Sequence, residues 1–102
     1  MAAPCLEIAK KSDDVWKYTN RGNTVAIVTD GTAVLGLGDI GPEASLPVME
    51  GKAILFKKFA DIDAYPLCYK FDNKTLENFT VAVKALNTCM GGINFEDIAA
   101  PF

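Results

Sequence analysis

Lys52 lies within an apolar helical stripe, a placement that can turn an ammonium into a catalyst. With residues 44–59 wound at roughly 100° per residue, Val48, Met49, Leu55, Phe56 and Phe59 fall within about 60° of Lys52. Lys57 and Lys58 fall on the opposite side. Burial strips hydration from an ammonium and disfavours its charged form, so a lysine there can transfer protons near neutral pH. The bland alternative is a lysine whose stem packs while its head reaches water.

Glu96-Asp97 is the second feature, an acidic pair after a double glycine and a short apolar run. Two hard oxygen donors suit Mg²⁺ or Mn²⁺. Adjacent strand residues point to opposite faces, so the pair converges on one ion only if the backbone turns there. Otherwise it is a solvated turn. The third feature, Gly36-Leu37-Gly38-Asp39-Ile40-Gly41, fits the spacing of a dinucleotide-binding loop. That reading fails on context, because the preceding strand reads as the second arm of a hairpin and the chain is short for a doubly wound domain. What remains is a turn with bare N–H groups beside a helix start, able to hold a carboxylate or nothing at all.

The elements that must position these residues follow from pattern. Residues 6–18 read as a helix that Ser12-Asp13-Asp14 could split in two. Residues 24–29 are β-branched and apolar on both faces, as a doubly buried strand is. Asp30-Gly31 then separates them from 32–38, which predicts a β-hairpin. The Lys52 helix follows, with Pro47 in its first turn if it begins near Leu46. Residues 64–69 form a third strand that Pro66 confines to an edge. Asp72-Asn73 is expected to cap a helix carrying Leu76, Phe79, Val83 and Leu86, and residues 93–95 to deliver Glu96-Asp97. The expected fold is one α/β domain, a small mixed β-sheet with a β-hairpin, flanked by α-helices.

Composition narrows the function classes. The chain has 102 residues, 50% of them hydrophobic, which suits one folded domain with one core. A net charge of −3 argues against nucleic-acid binding. No apolar run approaches the roughly 18 residues of a membrane span, and no secretory leader is evident. Three widely spaced cysteines, Cys5, Cys68 and Cys89, fit reduced thiols and a cytoplasmic location. The chain contains no histidine, so mechanisms needing one within it are excluded.

Several stretches together resemble one family. They are Ala2-Ala-Pro-Cys-Leu-Glu-Ile8, residues 18–23, Asp30-Gly-Thr-Ala-Val-Leu-Gly-Leu-Gly-Asp-Ile-Gly41, Pro47-Val-Met-Glu-Gly-Lys52 with Phe56-Lys-Lys-Phe59, and Gly91-Gly-Ile-Asn-Phe-Glu-Asp-Ile98. The set is similar to the N-terminal, substrate-side domain of bacterial-type malic enzymes, across nearly the whole chain. The resemblance implies metal-dependent oxidation of malate with NAD or NADP and decarboxylation to pyruvate and carbon dioxide. It places the family's catalytic lysine on Lys52 and two of its three acidic Mg²⁺ or Mn²⁺ ligands on Glu96 and Asp97. It also implies a homo-oligomeric parent enzyme, without nucleic-acid or membrane partners.

Departures from the family pattern set further expectations. The family's enolate-protonating tyrosine precedes the stretch matching Ala2. Its third acidic ligand and nicotinamide-binding domain follow the stretch matching Phe102. The substrate-binding arginine of the larger animal-type enzymes would fall at Thr32 or Ala33, where this chain has none. The 102 residues are thus expected to be a domain truncated at both ends, inactive alone and dependent on the rest of a malic enzyme chain. The competing expectations are a non-catalytic module for assembly or carboxylate binding, and, last, a self-standing dinucleotide binder.

Overall fold

Residues 24–29 have the composition of a strand packed on both faces, and in the computed structural model they form the centre of the sheet. The structure describes residues 2–70 and 75–99. Strand β1 (Thr24–Thr29) pairs in parallel with β2 (Asp63–Cys68) on one edge and with β3 (Gly92–Phe95) on the other. Ala26, Ile27, Val28 and Thr29 are fully buried. Pro66 stands opposite Ile27 on the edge strand β2, where a missing N–H is tolerated.

The expected hairpin does not form, and the sheet is parallel, not mixed. Both edges of β1 are occupied by β2 and β3, so the segment after Asp30-Gly31 finds no edge to pair with. It closes on itself instead: Val34 and Gly38 bridge each other, and Leu37 N and Gly38 N both donate to the Val34 carbonyl. Parallel neighbours need long crossovers, and helices supply them. Helix α3 (Gly41–Ala60) connects β1 to β2, and α4 (Leu76–Leu86) lies between β2 and β3 in the chain.

Helix α3 begins at Gly41 with Pro42 in its first turn, not near Leu46, so Pro47 lies inside it. It packs on β1 and β2 and buries Ser45 and Met49. The other sheet face carries Ala26 and Val28, covered by Phe79, Ala82 and Leu86 of α4 together with Leu67, Met90 and Ile93. Thr75 caps α4, its side chain accepting from Asn78 N; Asp72-Asn73 lie outside the described residues.

The N-terminal helix is split at Ser12-Asp13-Asp14. Helix α1 (Ala2–Lys10) ends at an extended Lys11, and a 3₁₀ turn, Ser12–Asp14, leads into α2 (Val15–Tyr18). Among the described residues no helix is long and apolar enough to cross a membrane.

Candidate functional site

In a parallel sheet the carboxyl ends of the strands gather at one edge, where α/β folds place their ligands. Here that edge brings together the Asp30-Gly31 loop after β1, Lys70 beyond β2 and Glu96-Asp97 after β3. Lys52 projects from α3 toward the same edge, and its Nζ lies 3.2 Å from Glu96 Oε2. The two residues meet because β3 continues its ladder one residue further, Glu96 N donating to the Val28 carbonyl at 3.0 Å.

The Lys52 side chain is 34% exposed, so it is neither fully desolvated nor free in water. The apolar stripe around it is only half used. Met49 is fully buried and Val48 and Phe56 half-buried, but Leu55 and Phe59 are 52% and 76% exposed. A domain of this size has no second layer to cover that flank of α3. Lys52, Leu55, Phe56, Phe59, Ala60 and Glu96 line an open pocket of about 280 Å³. An ion pair on an apolar wall is what this pocket offers a ligand.

Asp97 adopts a left-handed backbone conformation, φ 54°, so the chain turns directly after Glu96. Its carbonyl accepts from Ala33 N at 3.0 Å, and Ala99 N donates to Thr32 Oγ1 at 2.7 Å. These bonds strap the acidic pair to the loop after β1. Asp97 does not itself line the Lys52 pocket. The pair offers hard oxygens of the kind Mg²⁺ and Mn²⁺ take, and among the described residues no cluster of three candidate ligands forms.

The glycine-rich loop is not an open cradle. The Gly31 carbonyl accepts from Ile40 N and Gly41 N, the amides at the start of α3, and the Val34 carbonyl takes those of Leu37 and Gly38. Four of the N–H groups that could have held an anion, those of Leu37, Gly38, Ile40 and Gly41, are committed within the loop. Gly31 itself is tightly enclosed: a Cβ there would lie 2.0 Å from the Gly41 carbonyl oxygen, and its φ is +72°.

Two residues escape a reading by pattern. Asp30, 4% exposed, looks from sequence like a hairpin turn; its carboxylate accepts from Thr32 N at 3.1 Å and Thr32 Oγ1 at 2.7 Å. Asn94 holds a buried Oδ1 without a hydrogen-bond partner. Its only sequence signal is a polar residue inside an otherwise apolar strand. Beside the Asp30 loop, a separate polar cleft of about 500 Å³ is lined by Asp30, Thr32, Asp39, Gly41, Pro42, Glu43 and Lys70.

Known proteins share both sequence and fold. Residues 2–102 match the family described as malic enzyme, N-terminal domain. The chain is 54% identical over 101 residues to the NAD-dependent malic enzyme of Geobacillus stearothermophilus, covering 99% of this chain and 21% of that protein. It is equally identical, 54% over 101 residues, to the NADP-dependent malic enzyme of Escherichia coli, covering 99% of this chain and 13% of that one. The crystal structure of malic enzyme from Pyrococcus horikoshii matches with a TM-score of 0.90 and 53% identity, over 98% of this chain and 23% of that chain. The chain thus spans about a quarter or less of the length of each.

Proposed function

From the premise that this chain belongs to the malic enzyme N-terminal domain family, we propose that it is the substrate-side part of a malic enzyme. The reaction is oxidation of malate with NAD or NADP and decarboxylation to pyruvate and carbon dioxide. Lys52 is the proton-transfer residue, and Glu96 and Asp97 are two of the ligands of a Mg²⁺ or Mn²⁺ ion. The observation that carries this reading is the meeting of Lys52 with Glu96 in one pocket at the carboxyl edge of the sheet.

A divalent cation bound there supplies Lewis-acid polarisation of the substrate oxygen. The chain's own residues supply the rest. With such an ion bound, Glu96 and Asp97 would be the residues that hold it through their carboxylate oxygens, the chain turning left-handed at Asp97 directly after Glu96. Lys52 Nζ receives the malate hydroxyl proton while the hydride leaves for the nicotinamide. Leu55, Phe56 and Phe59 give the pocket an apolar wall beside Lys52. The nicotinamide is held outside these residues, in keeping with the committed amides of the glycine loop. A cytoplasmic, homo-oligomeric parent enzyme belongs to the same proposal, its cytoplasmic location supported by the free thiols of Cys5, Cys68 and Cys89.

The test is Lys52→Ala in the full polypeptide. It should lower kcat about 10²- to 10⁴-fold, the usual worth of a positioned acid–base group, with a much smaller change in KM for malate. Near-normal kcat would return Lys52 to a structural role.

A further inference from the structure

Three consecutive residues after β1, Gly31, Thr32 and Ala33, hold both arms of the proposed site. The Gly31 carbonyl accepts from Ile40 N and Gly41 N, where α3, the helix of Lys52, begins. Thr32 and Ala33 reach the other arm, the turn that follows Glu96. Ala33 N donates to the Asp97 carbonyl at 3.0 Å, and Thr32 Oγ1 accepts from Ala99 N at 2.7 Å. The two bonds bracket the turn at Asp97, whose φ is 54°. Residues other than glycine seldom adopt that conformation, and they keep it where neighbouring contacts hold it.

Resting on the proposal that malate is turned over at this edge of the sheet, we infer that Thr32 is a positioning residue whose hydroxyl fixes the Glu96-Asp97 turn relative to Lys52. A hydroxyl has one proton to give and lone pairs with which to accept. Thr32 gives its proton to Asp30 Oδ1 at 2.7 Å and so presents a lone pair to Ala99 N. Asp30 is held in turn: its Oδ1 also accepts from Thr32 N at 3.1 Å, and the residue is 4% exposed. The chain of bonds from Asp30 through Thr32 to Ala99 therefore has a direction, and loss of the hydroxyl breaks it on both sides. Thr32 does not line the Lys52 pocket, so it acts through the backbone that it holds. Lys52 Nζ and Glu96 Oε2 meet at 3.2 Å from two arms anchored on the same three residues. Loosening Thr32 lets one arm drift against the other.

The test compares two variants of the full polypeptide: Thr32→Val, which keeps the shape and removes the hydroxyl, and Thr32→Ser, which keeps the hydroxyl. Thr32→Val should lower kcat with malate roughly tenfold to a hundredfold, the cost of a small misplacement of reacting groups, with KM changed by less than about threefold. Thr32→Ser should stay within about twofold of the unsubstituted kcat, since both hydroxyl bonds survive. Amide exchange followed by mass spectrometry should quicken over residues 96–99 in Thr32→Val and not in Thr32→Ser. Thr32→Ala should repeat the valine result, which keeps the test open if valine does not fit. Unchanged kcat in Thr32→Val, with or without faster exchange, or equal losses in the valine and serine variants, would overturn the role of Thr32. The malate site itself would still stand if Lys52→Ala is inactive. Near-normal kcat in Lys52→Ala would overturn the proposed site, and this inference with it.

Discussion

Lys52 and Glu96 are joined at 3.2 Å with side chains 34% and 26% exposed, so solvent screens the pair. Such pairs contribute about 0–1 kcal/mol to folding. Lys52→Met is therefore expected to shift the stability of this domain by less than about 1 kcal/mol in urea denaturation, even though Lys52→Ala removes most of the activity of the full polypeptide. Gly31 is the opposite kind of residue, structural with no chemistry of its own. A methyl group there would strike the Gly41 carbonyl oxygen and demand a positive φ. Gly31→Ala should cost about 2–4 kcal/mol, combining backbone strain with overpacking, seen as a lowered urea midpoint. A midpoint within experimental error of the unsubstituted protein would show that the loop shifts freely and that its seal on α3 is loose.

At the scale of elements, α3 is secured where it hands over to β2. Asp61 caps the helix in a left-handed conformation, and Lys57 pairs with Asp61 at 2.8 Å and Asp63 at 3.1 Å. Hydrogen bonds from Asn20 and then Lys57 hold the Asp63 carboxyl below its ordinary value of 3.8. Hydrogen bonds to Asp61 and then Asp63 raise Lys57 above 10.5. A depressed carboxyl stabilises the fold above its unfolded value and loses that contribution as pH falls through the folded one. A raised lysine contributes below its unfolded value and loses it as pH rises through the folded one. Stability from this cluster should thus be flat between about 4 and 10 and decline outside that window. In Asp63→Asn, denaturation followed from pH 5 to pH 2 should show a shallower acid decline; an unchanged slope would remove Asp63 from the account. Helix α4 depends on its cap, and Thr75→Ala should cost about 1 kcal/mol.

At the scale of the whole molecule, the domain is long and thinly covered. Its extents are 48 × 34 × 17 Å and its radius of gyration is 15.7 Å, against about 13 Å for a compact chain of this length. Helix α1 buries no residue. Leu6, Leu35, Leu37, Ile54, Phe59 and Leu76 are each more than 60% exposed, while the fully buried apolar core among the described residues rests mainly on β1 and Met49. A fold with so little interior should be only marginally stable by itself. Purified alone, the chain is expected to show no malate-dependent reduction of NAD or NADP, and to bind Mn²⁺ in the millimolar range or not at all. Spectrophotometric assay and calorimetry check both. Turnover by the pure chain, or micromolar Mn²⁺ binding lost in Glu96→Ala, would show a more complete site than the described residues form.

Local periodicity and composition were enough to place β1, β2, α4, β3 and the body of α3, though not its start, and to draw attention to Lys52 and Glu96-Asp97. These features depend on residues within a turn or two of one another, so the linear pattern records them. The choice of strand partners depends on segments far apart in the chain. Asp30-Gly31 is a sound hairpin signal locally, but β2 and β3 occupy both edges of β1 and leave the second arm nothing to pair with. The same long-range packing left Lys52 half-exposed against Glu96, consumed the amides of the glycine loop, and buried Asn94 Oδ1 without a donor. None of these is a property of a residue and its neighbours in sequence. Each depends on which distant group arrives at a given point in space, and only the assembled sheet decides that.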